Sequence, residues 1–248
     1  MEKDTLIIGR KPVLDALKGD TTIEKIWIDN SLRGDIEKEI RFLSKKHNIP
    51  LQYVPKQKLS SLTPKANHQG LVAQLSLVKY WSIEDIIPQL YEQGRTPAIL
   101  VLDGIEDVRN IGALARTAVW FDMDAIVISL KKSAMINSFA YKSSAGAIKD
   151  IPICREPSLI SAISFMKSSG LNIITADLGE DTSNNINFEE PIALVLGSEG
   201  KGPSKEIIKL SDAISCIQGS GRVESLNVSV AGAILMHQFY NKRKKLYK

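Results

Sequence analysis

Residues 98–121 read AILVLDGIEDVRNIGALARTAVWF, and the change of pattern inside this stretch decides the fold class. Ala98 to Leu102 is an unbroken apolar run, as in a strand buried on both faces of a parallel sheet. Asp103 and Gly104 end it, and from Asn110 onward the pattern is helical. The alternation continues down the chain. AIVIS (125–129), IPICR (151–155), LNIITAD (171–177), PIALVLG (191–197) and AISCI (213–217) read as strands. NSFAYKSSAGA (137–147) and SLISAISFMKSSG (158–170) read as helices, and helices follow the last two strands. Such βα alternation predicts an α/β fold, a parallel sheet covered on both faces. Ligands of such sheets gather at the carboxyl ends of the strands. Three loops are therefore the candidate site: DGIEDVRN (103–110), GSEGKGPS (197–204) and QGSGRVESLN (218–227).

The chain before residue 98 is patterned differently. Val13, Leu14 and Leu17 have helical spacing, ended by Gly19, and IEKIWID (23–29) alternates like a strand. Ile36, Ile40 and Leu43 share a helical face, while LQYV (51–54) and GLVAQLSLV (70–78) read as strands. These predict a small αβ domain over residues 1–78. Residues 79–97 carry a short helical pattern interrupted by Pro88 and closed by Gly94 and Pro97. They read as a linker to a second domain over residues 98–248.

Bulk properties narrow the function. With 44% hydrophobic and 24% charged residues, the chain is an ordinary globular protein. A formal net charge of +4 does not by itself announce a nucleic-acid binder. The tail concentrates Lys242, Arg243, Lys244, Lys245 and Lys248, a run that reads as a solvated end or a binding arm. Cys154 and Cys216 make no disulfide framework, which suits a reducing compartment. The absence of a signal-peptide core and of a long apolar run predicts a cytoplasmic protein without membrane contact. His47, His68 and His237 show no metal spacing with the cysteines, so no metal is expected. Trp27, Trp81 and Trp120 read as packing residues.

The three loops carry the chemistry. Gly197, Gly200 and Gly202 follow a strand and precede a helix, leaving room for a ligand's close approach. Their spacing is neither that of a P-loop nor that of the dinucleotide fingerprint. Glu199 can accept hydrogen bonds or balance a positive charge. Asn110 can cap the helix that follows it, and Gly112 permits close approach. Arg116 lies among Ala113, Leu114, Ala115, Ala118 and Val119. In an apolar helix it needs an anionic partner, for which phosphate fits the guanidinium fork. Ser225 can cap a helix starting near Leu226, with Asn227 in its first turn. Ser229, Ala231, Gly232 and Ala233 then permit close packing of another backbone.

NIGALAR (110–116), LVLGSEGKG (194–202) and ESLNVSVAGAI (224–234), in this order, resemble the SpoU-type (TrmH-like) RNA ribose 2′-O-methyltransferases of the SPOUT superfamily. LIIGRKPVLDAL (6–17) and NHQGLVAQL (67–75) resemble that family's small RNA-binding domain, related to ribosomal protein L30e. The two-domain arrangement is most similar to the subgroup that methylates a guanosine ribose in 23S ribosomal RNA. The resemblance implies an α/β domain with a C-terminal trefoil knot, S-adenosylmethionine as cofactor, RNA as partner, and a homodimer that completes the active sites. It implies a catalytic set of Asn110, Arg116, Glu199, Ser225 and Asn227. It places the cofactor against Thr175, Ala176, Gly197, Gly200, Ile217 and Leu226, and RNA against Arg10, His68 and Gln69. The chain departs from the family where Ile217, Gln218 and Gly219 replace the usual Ile-Pro-Met. A tRNA ribose methyltransferase, a catalytically silent RNA-binding assembly factor and a nucleotide-dependent enzyme remain as alternatives.

Overall fold

The computed structural model describes residues 6–131, 133–134, 136–179, 181–183 and 186–244. Lys245 and Lys248 of the basic tail lie outside the described residues. The chain forms two compact units, residues 1–79 and 80–248.

The first unit comprises β1 (Leu6–Ile8), α1 (Arg10–Lys18), β2 (Ile23–Asp29), α2 (Asp35–Lys46), β3 (Leu51–Val54), α3 (Lys56–Leu62) and β4 (Leu71–Leu75). Its four strands lie in the order β1-β4-β2-β3, with β4 antiparallel to β1 and β2, and β3 parallel to β2. Successive side chains of β2 point to opposite faces. Ile26 and Ile28 enter a core with Val13 and Leu17 of α1 and Ile40 of α2. Trp27 packs on the other face with Val72 and Leu59 of α3. Helix α3 was not legible as a helix, and the last strand stops at Leu75, short of the expected Val78.

The second unit contains β5 (Tyr80–Trp81), α4 (Ile83–Glu92), β6 (Ala98–Asp103), α5 (Val108–Trp120), β7 (Ala125–Ser129), α6 (Ser138–Ser143), β8 (Ile153–Glu156) and α7 (Leu159–Ser168). It continues through β9 (Asn172–Ala176), β10 (Ile192–Gly197), α8 (Lys205–Leu210), β11 (Ala213–Ser215) and α9 (Val228–Lys244). Seven strands pair in the order β11-β9-β10-β6-β7-β8-β5, every neighbouring pair parallel. Ile99 to Leu102 are wholly buried, each contributing roughly 1.5–3 kcal/mol by leaving water.

The stretch 79–97, read as a linker, differs in the structure. Edge strand β5 pairs with β8, and α4 runs through Pro88. Ile83, Ile86, Ile87 and Leu90 of α4 are buried in one core with Ile99, Val127 and Ile163. Glu156 anchors the helix start by accepting from the Ile83 amide at 2.8 Å.

Close packing explains two glycines. A Cβ on Gly112 would lie 1.8 Å from Ser143 Oγ and 2.5 Å from the Ala140 carbonyl, so the close approach expected there is by helix α6. A Cβ on Gly232 would lie 2.5 Å from Leu114 and 2.8 Å from Leu196, which seats α9 against α5 and β10. Trp27 is buried and Trp81 packs on the core, but Trp120 is exposed, against the packing role expected for it. Cys154 is buried and Cys216 half-buried, both free thiols; burial pushes the Cys154 thiol far up. Among the described residues no helix is long and apolar enough to cross a membrane.

Candidate active site

The three loops meet at the carboxyl edge of the sheet around one carboxylate. After β10 the chain folds back so tightly that a Cβ on Gly197 would lie 2.0 Å from the Pro203 nitrogen. Gly200 and Gly202 take left-handed φ of 79° and 66°, where glycine carries no steric cost. Asp103, at the end of β6, fixes this turn by accepting from the Ser204 amide at 2.8 Å. The turn presents Glu199.

Helix α5 starts two residues earlier than Asn110. Asp107 caps it, accepting from the Arg109 amide at 2.8 Å, and the Arg109 guanidinium holds the Asp107 carboxyl below the usual range. Asn110 is thus not the cap. It is buried in the first turn and donates from Nδ2 to Glu199 Oε1 at 3.1 Å. Helix α9 starts at Val228, and its cap is Asn227, whose Oδ1 accepts from the Ser229 amide at 2.9 Å. This replaces the expected Ser225 cap. Asn227 Nδ2 also donates to Glu199 Oε1 at 2.5 Å and to Asn110 Oδ1 at 3.2 Å. The Val228 amide, the first of α9, points to the same Glu199 oxygen at 3.4 Å. One carboxylate oxygen therefore gathers three segments, helped by its charge and by the positive end of the α9 dipole.

Arg116 and Ser225 stand outside this cluster. The buried face of α5 is made by Asn110, Ile111, Leu114, Ala115 and Ala118. Arg116 lies on the opposite, exposed face with Arg109 and Trp120, and it forms no ion pair among the described residues. The helix is not apolar all round, as was expected; Arg116 offers an accessible guanidinium. Ser225 is exposed, within the exposed loop 218–227.

The expected cofactor positions divide. Ala176 and Gly197 end the adjacent strands β9 and β10, and Ile217 follows their neighbour β11 by two residues. Gly200 and Leu226 are exposed. Thr175 is fully buried between β10 and β11, and its hydroxyl is taken by Ser211 Oγ at 2.5 Å, so its side chain is not presented to a ligand.

In the first unit, Arg10, His68 and Gln69 line a cleft of about 650 Å³. Gln69 Oε1 accepts from the Arg10 amide at 3.3 Å, supplying α1 with a cap from 59 residues away. Arg10 Nε returns a bond to the Gln69 carbonyl at 2.9 Å. His68 is buried. Its Nδ1 accepts from the Gly70 amide at 3.0 Å and its Nε2 lies 3.2 Å from Ser60 Oγ. That pattern assigns the proton to Nε2.

Residues 97–237 match the model of the SpoU rRNA Methylase family. The chain belongs to this family. Residues 6–81 match a second model, RNA 2'-O ribose methyltransferase substrate binding. This SpoU methylase is an RNA ribose 2′-O-methyltransferase with an amino-terminal substrate-binding unit. It is 34% identical over 239 residues to the putative TrmH family tRNA/rRNA methyltransferase YacO of Bacillus subtilis, covering 96% of this chain and 95% of that protein. It is 32% identical to a putative TrmH family tRNA/rRNA methyltransferase of Staphylococcus haemolyticus, covering 97% of each. Two crystal structures share the fold. The AdoMet-bound rRNA methyltransferase of Sinorhizobium meliloti superposes with a TM-score of 0.60 at 21% identity, over 96% of this chain and 87% of that one. The SpoU methyltransferase AviRb of Streptomyces viridochromogenes gives 0.61 at 19%, over 97% and 90%.

Two carboxylates of this SpoU methylase were not singled out for these roles from sequence. Asp103 ties the glycine turn to β6. Asp177, directly after Ala176, brings Oδ1 within 3.6 Å of the point where a Gly202 Cβ would sit. Asp103 ends an apolar strand and Asp177 directly follows one, which is the one signal the sequence offers for them.

Proposed function

We propose that this methylase uses S-adenosylmethionine to methylate the ribose 2′-hydroxyl of a guanosine in large-subunit ribosomal RNA, working as a cytoplasmic homodimer. The observation that carries the reading is the Asn110–Glu199–Asn227 cluster, in which three loops far apart in sequence close on one carboxylate. Ala176, Gly197 and Ile217 fit the cofactor, because small or apolar residues at or just past three strand ends of one sheet edge suit the face of an adenosine. Thr175, Gly200 and Leu226 flank them. When bound, S-adenosylmethionine supplies an electrophilic methyl group on a sulfonium.

The residues of the chain then position and deprotonate. Arg116 grips the phosphate next to the target ribose through its guanidinium fork. With the cofactor bound, that phosphate would receive or relay the 2′-hydroxyl proton while Arg116 holds it in place. Ser225 and Asn110 hold the ribose, while Asn227 and Glu199 fix the turn. Much of the rate comes from such positioning. Arg10, His68 and Gln69 belong to the RNA-gripping cleft of the first unit. Exposed apolar side chains at Trp120, Leu226 and Val230 support a covering second copy. Family membership supports the trefoil knot.

The test is methyl transfer from labelled S-adenosylmethionine to total RNA of a strain lacking the gene, followed by mapping. Label on a single 2′-oxygen of large-subunit RNA is expected. Label on transfer RNA, which the names of the relatives include, replaces the ribosomal substrate. No transfer and no cofactor binding returns the chain to a silent RNA-binding role.

A further inference from the structure

The cleft of the first unit holds more than the three positions expected there. Arg33, Lys56 and Lys65 line it as well, so four cations face one carboxylate, Asp29. That carboxylate is already engaged. Its Oδ1 accepts from the Ser31 amide at 2.8 Å and from the Ser31 hydroxyl at 2.7 Å, which hold its pKa below the ordinary value. Three cations of the α1–α2 side are paired in contrast: Lys18 with Glu39, Lys38 with Asp35 and Arg41 with Glu37. Among the described residues, Arg33, Lys56 and Lys65 enter no ion pair. Nor is Arg33 free to wander. Its Nη1 donates to the Asn30 carbonyl at 2.6 Å and the Leu32 carbonyl at 2.8 Å, which sets the guanidinium before any ligand arrives. A concave surface carrying unpaired cations concentrates an anionic partner, and a fixed guanidinium matches phosphate geometry. Among the described residues no Phe, Tyr or Trp lines the cleft, so they offer no platform for stacked bases there.

We propose that this cleft is a phosphodiester cradle: Arg33, Lys56 and Lys65 contact the RNA backbone, and His68 and Gln69 are positioning residues that hold the turn shaping it. The proposal rests on the RNA-methylating reading above and deepens it. The contacts are to phosphate, so they set affinity and register and carry no base identity.

The experiment compares the full-length chain with the triple variant Arg33→Ala/Lys56→Ala/Lys65→Ala. A charge-matched control is Lys38→Ala/Lys45→Ala/Lys46→Ala on the exposed face of α2. Binding of a labelled, unmodified large-subunit RNA transcript is measured against salt concentration. S-adenosylmethionine binding and methyl transfer to total RNA are read in parallel. Each lost phosphate contact lowers the log–log salt slope by about 0.7–0.9. The triple variant is therefore expected to flatten it by about two to three, and to bind at least ~10-fold more weakly at physiological salt. Cofactor binding stays unchanged, and the control stays within about 2-fold of wild type. Should loss of Arg33 loosen its own loop, the double variant Lys56→Ala/Lys65→Ala still flattens the slope by about 1.5. A control as weak as the triple variant, or a triple variant as tight as wild type, overturns the cradle while wild-type methylation leaves the enzyme reading intact. A wild-type chain that neither binds nor methylates RNA overturns both.

Discussion

The two polar sites of this methylase are built in opposite ways. In the first unit the bonds that shape the cleft run from side chain to backbone: Gln69 to the Arg10 amide, His68 to the Gly70 amide, Asp29 to the Ser31 amide. The last two brace local turns, and the first ties the start of α1 to one of them. In the second unit the bonds run between the side chains of Asn110, Glu199 and Asn227, across as many as 117 positions. The first arrangement makes a surface whose shape precedes its ligand. The second exists only when three loops have arrived together, so any one of them can undo it.

That contrast can be pressed hardest at Arg116, which sits in neither network. Arg116→Ala should lower methyl transfer by about 10²–10³-fold, the usual range for one charge-stabilising donor, with cofactor binding retained. Arg116→Lys keeps the charge and loses the fork, and should still cost at least ~10-fold. Near wild-type single-turnover rates with lysine would remove the bidentate phosphate role. Next in size is Asn227→Ala. It deletes the cap of α9, about 1 kcal/mol, and leaves Glu199 short of its closest donor. Transfer should fall by about 10²-fold, since misplaced positioning groups cost that much. A fall in melting temperature without a fall in rate would make Asn227 merely structural.

The matching change in the first unit is Gln69→Ala, which also removes a helix cap. Here about 1 kcal/mol of stability should go and RNA binding should weaken, while S-adenosylmethionine affinity holds. A loss of cofactor affinity would blur the distinction between the sites. The smallest effect concerns acid. Asp29 has its carboxyl held down by Ser31, so its contribution is complete above the ordinary carboxylate pKa near 4 and is lost as pH falls toward its depressed value. Ser31→Ala should lower neutral stability by about 1 kcal/mol and start acid unfolding of residues 6–79 at higher pH. Hydrogen exchange across a pH series reads this unit separately. An unchanged acid limb would show that Ser31 carries no such weight.

What the sequence made legible follows the same division. The buried strands could be read because residues such as Ile99 to Leu102 are apolar without interruption, and the cluster residues because their motifs are distinctive. Segment 79–97 was misread because Pro88 suggests a break. Yet the contacts that hold α4 come from Ile83, Ile86, Ile87 and Leu90, whose partners lie far down the chain. Which residue caps α9, and which face of α5 bears Arg116, depends on where each helix begins and what it packs against. Asp103 could not be understood locally, for its partner Ser204 lies 101 positions away.

The place of β10 between β6 and β9 has a consequence for the nascent chain. Strand β6 leaves the ribosome early and finds β7 soon after, but its other edge waits through roughly 90 residues for β10. At 5–20 residues per second that is on the order of 5–20 s. For that interval AILVLD is an unpaired apolar edge, the kind that sticks to other chains. The enzyme's central strand is thus its point of greatest exposure during synthesis, and the stage at which a chaperone has most to protect.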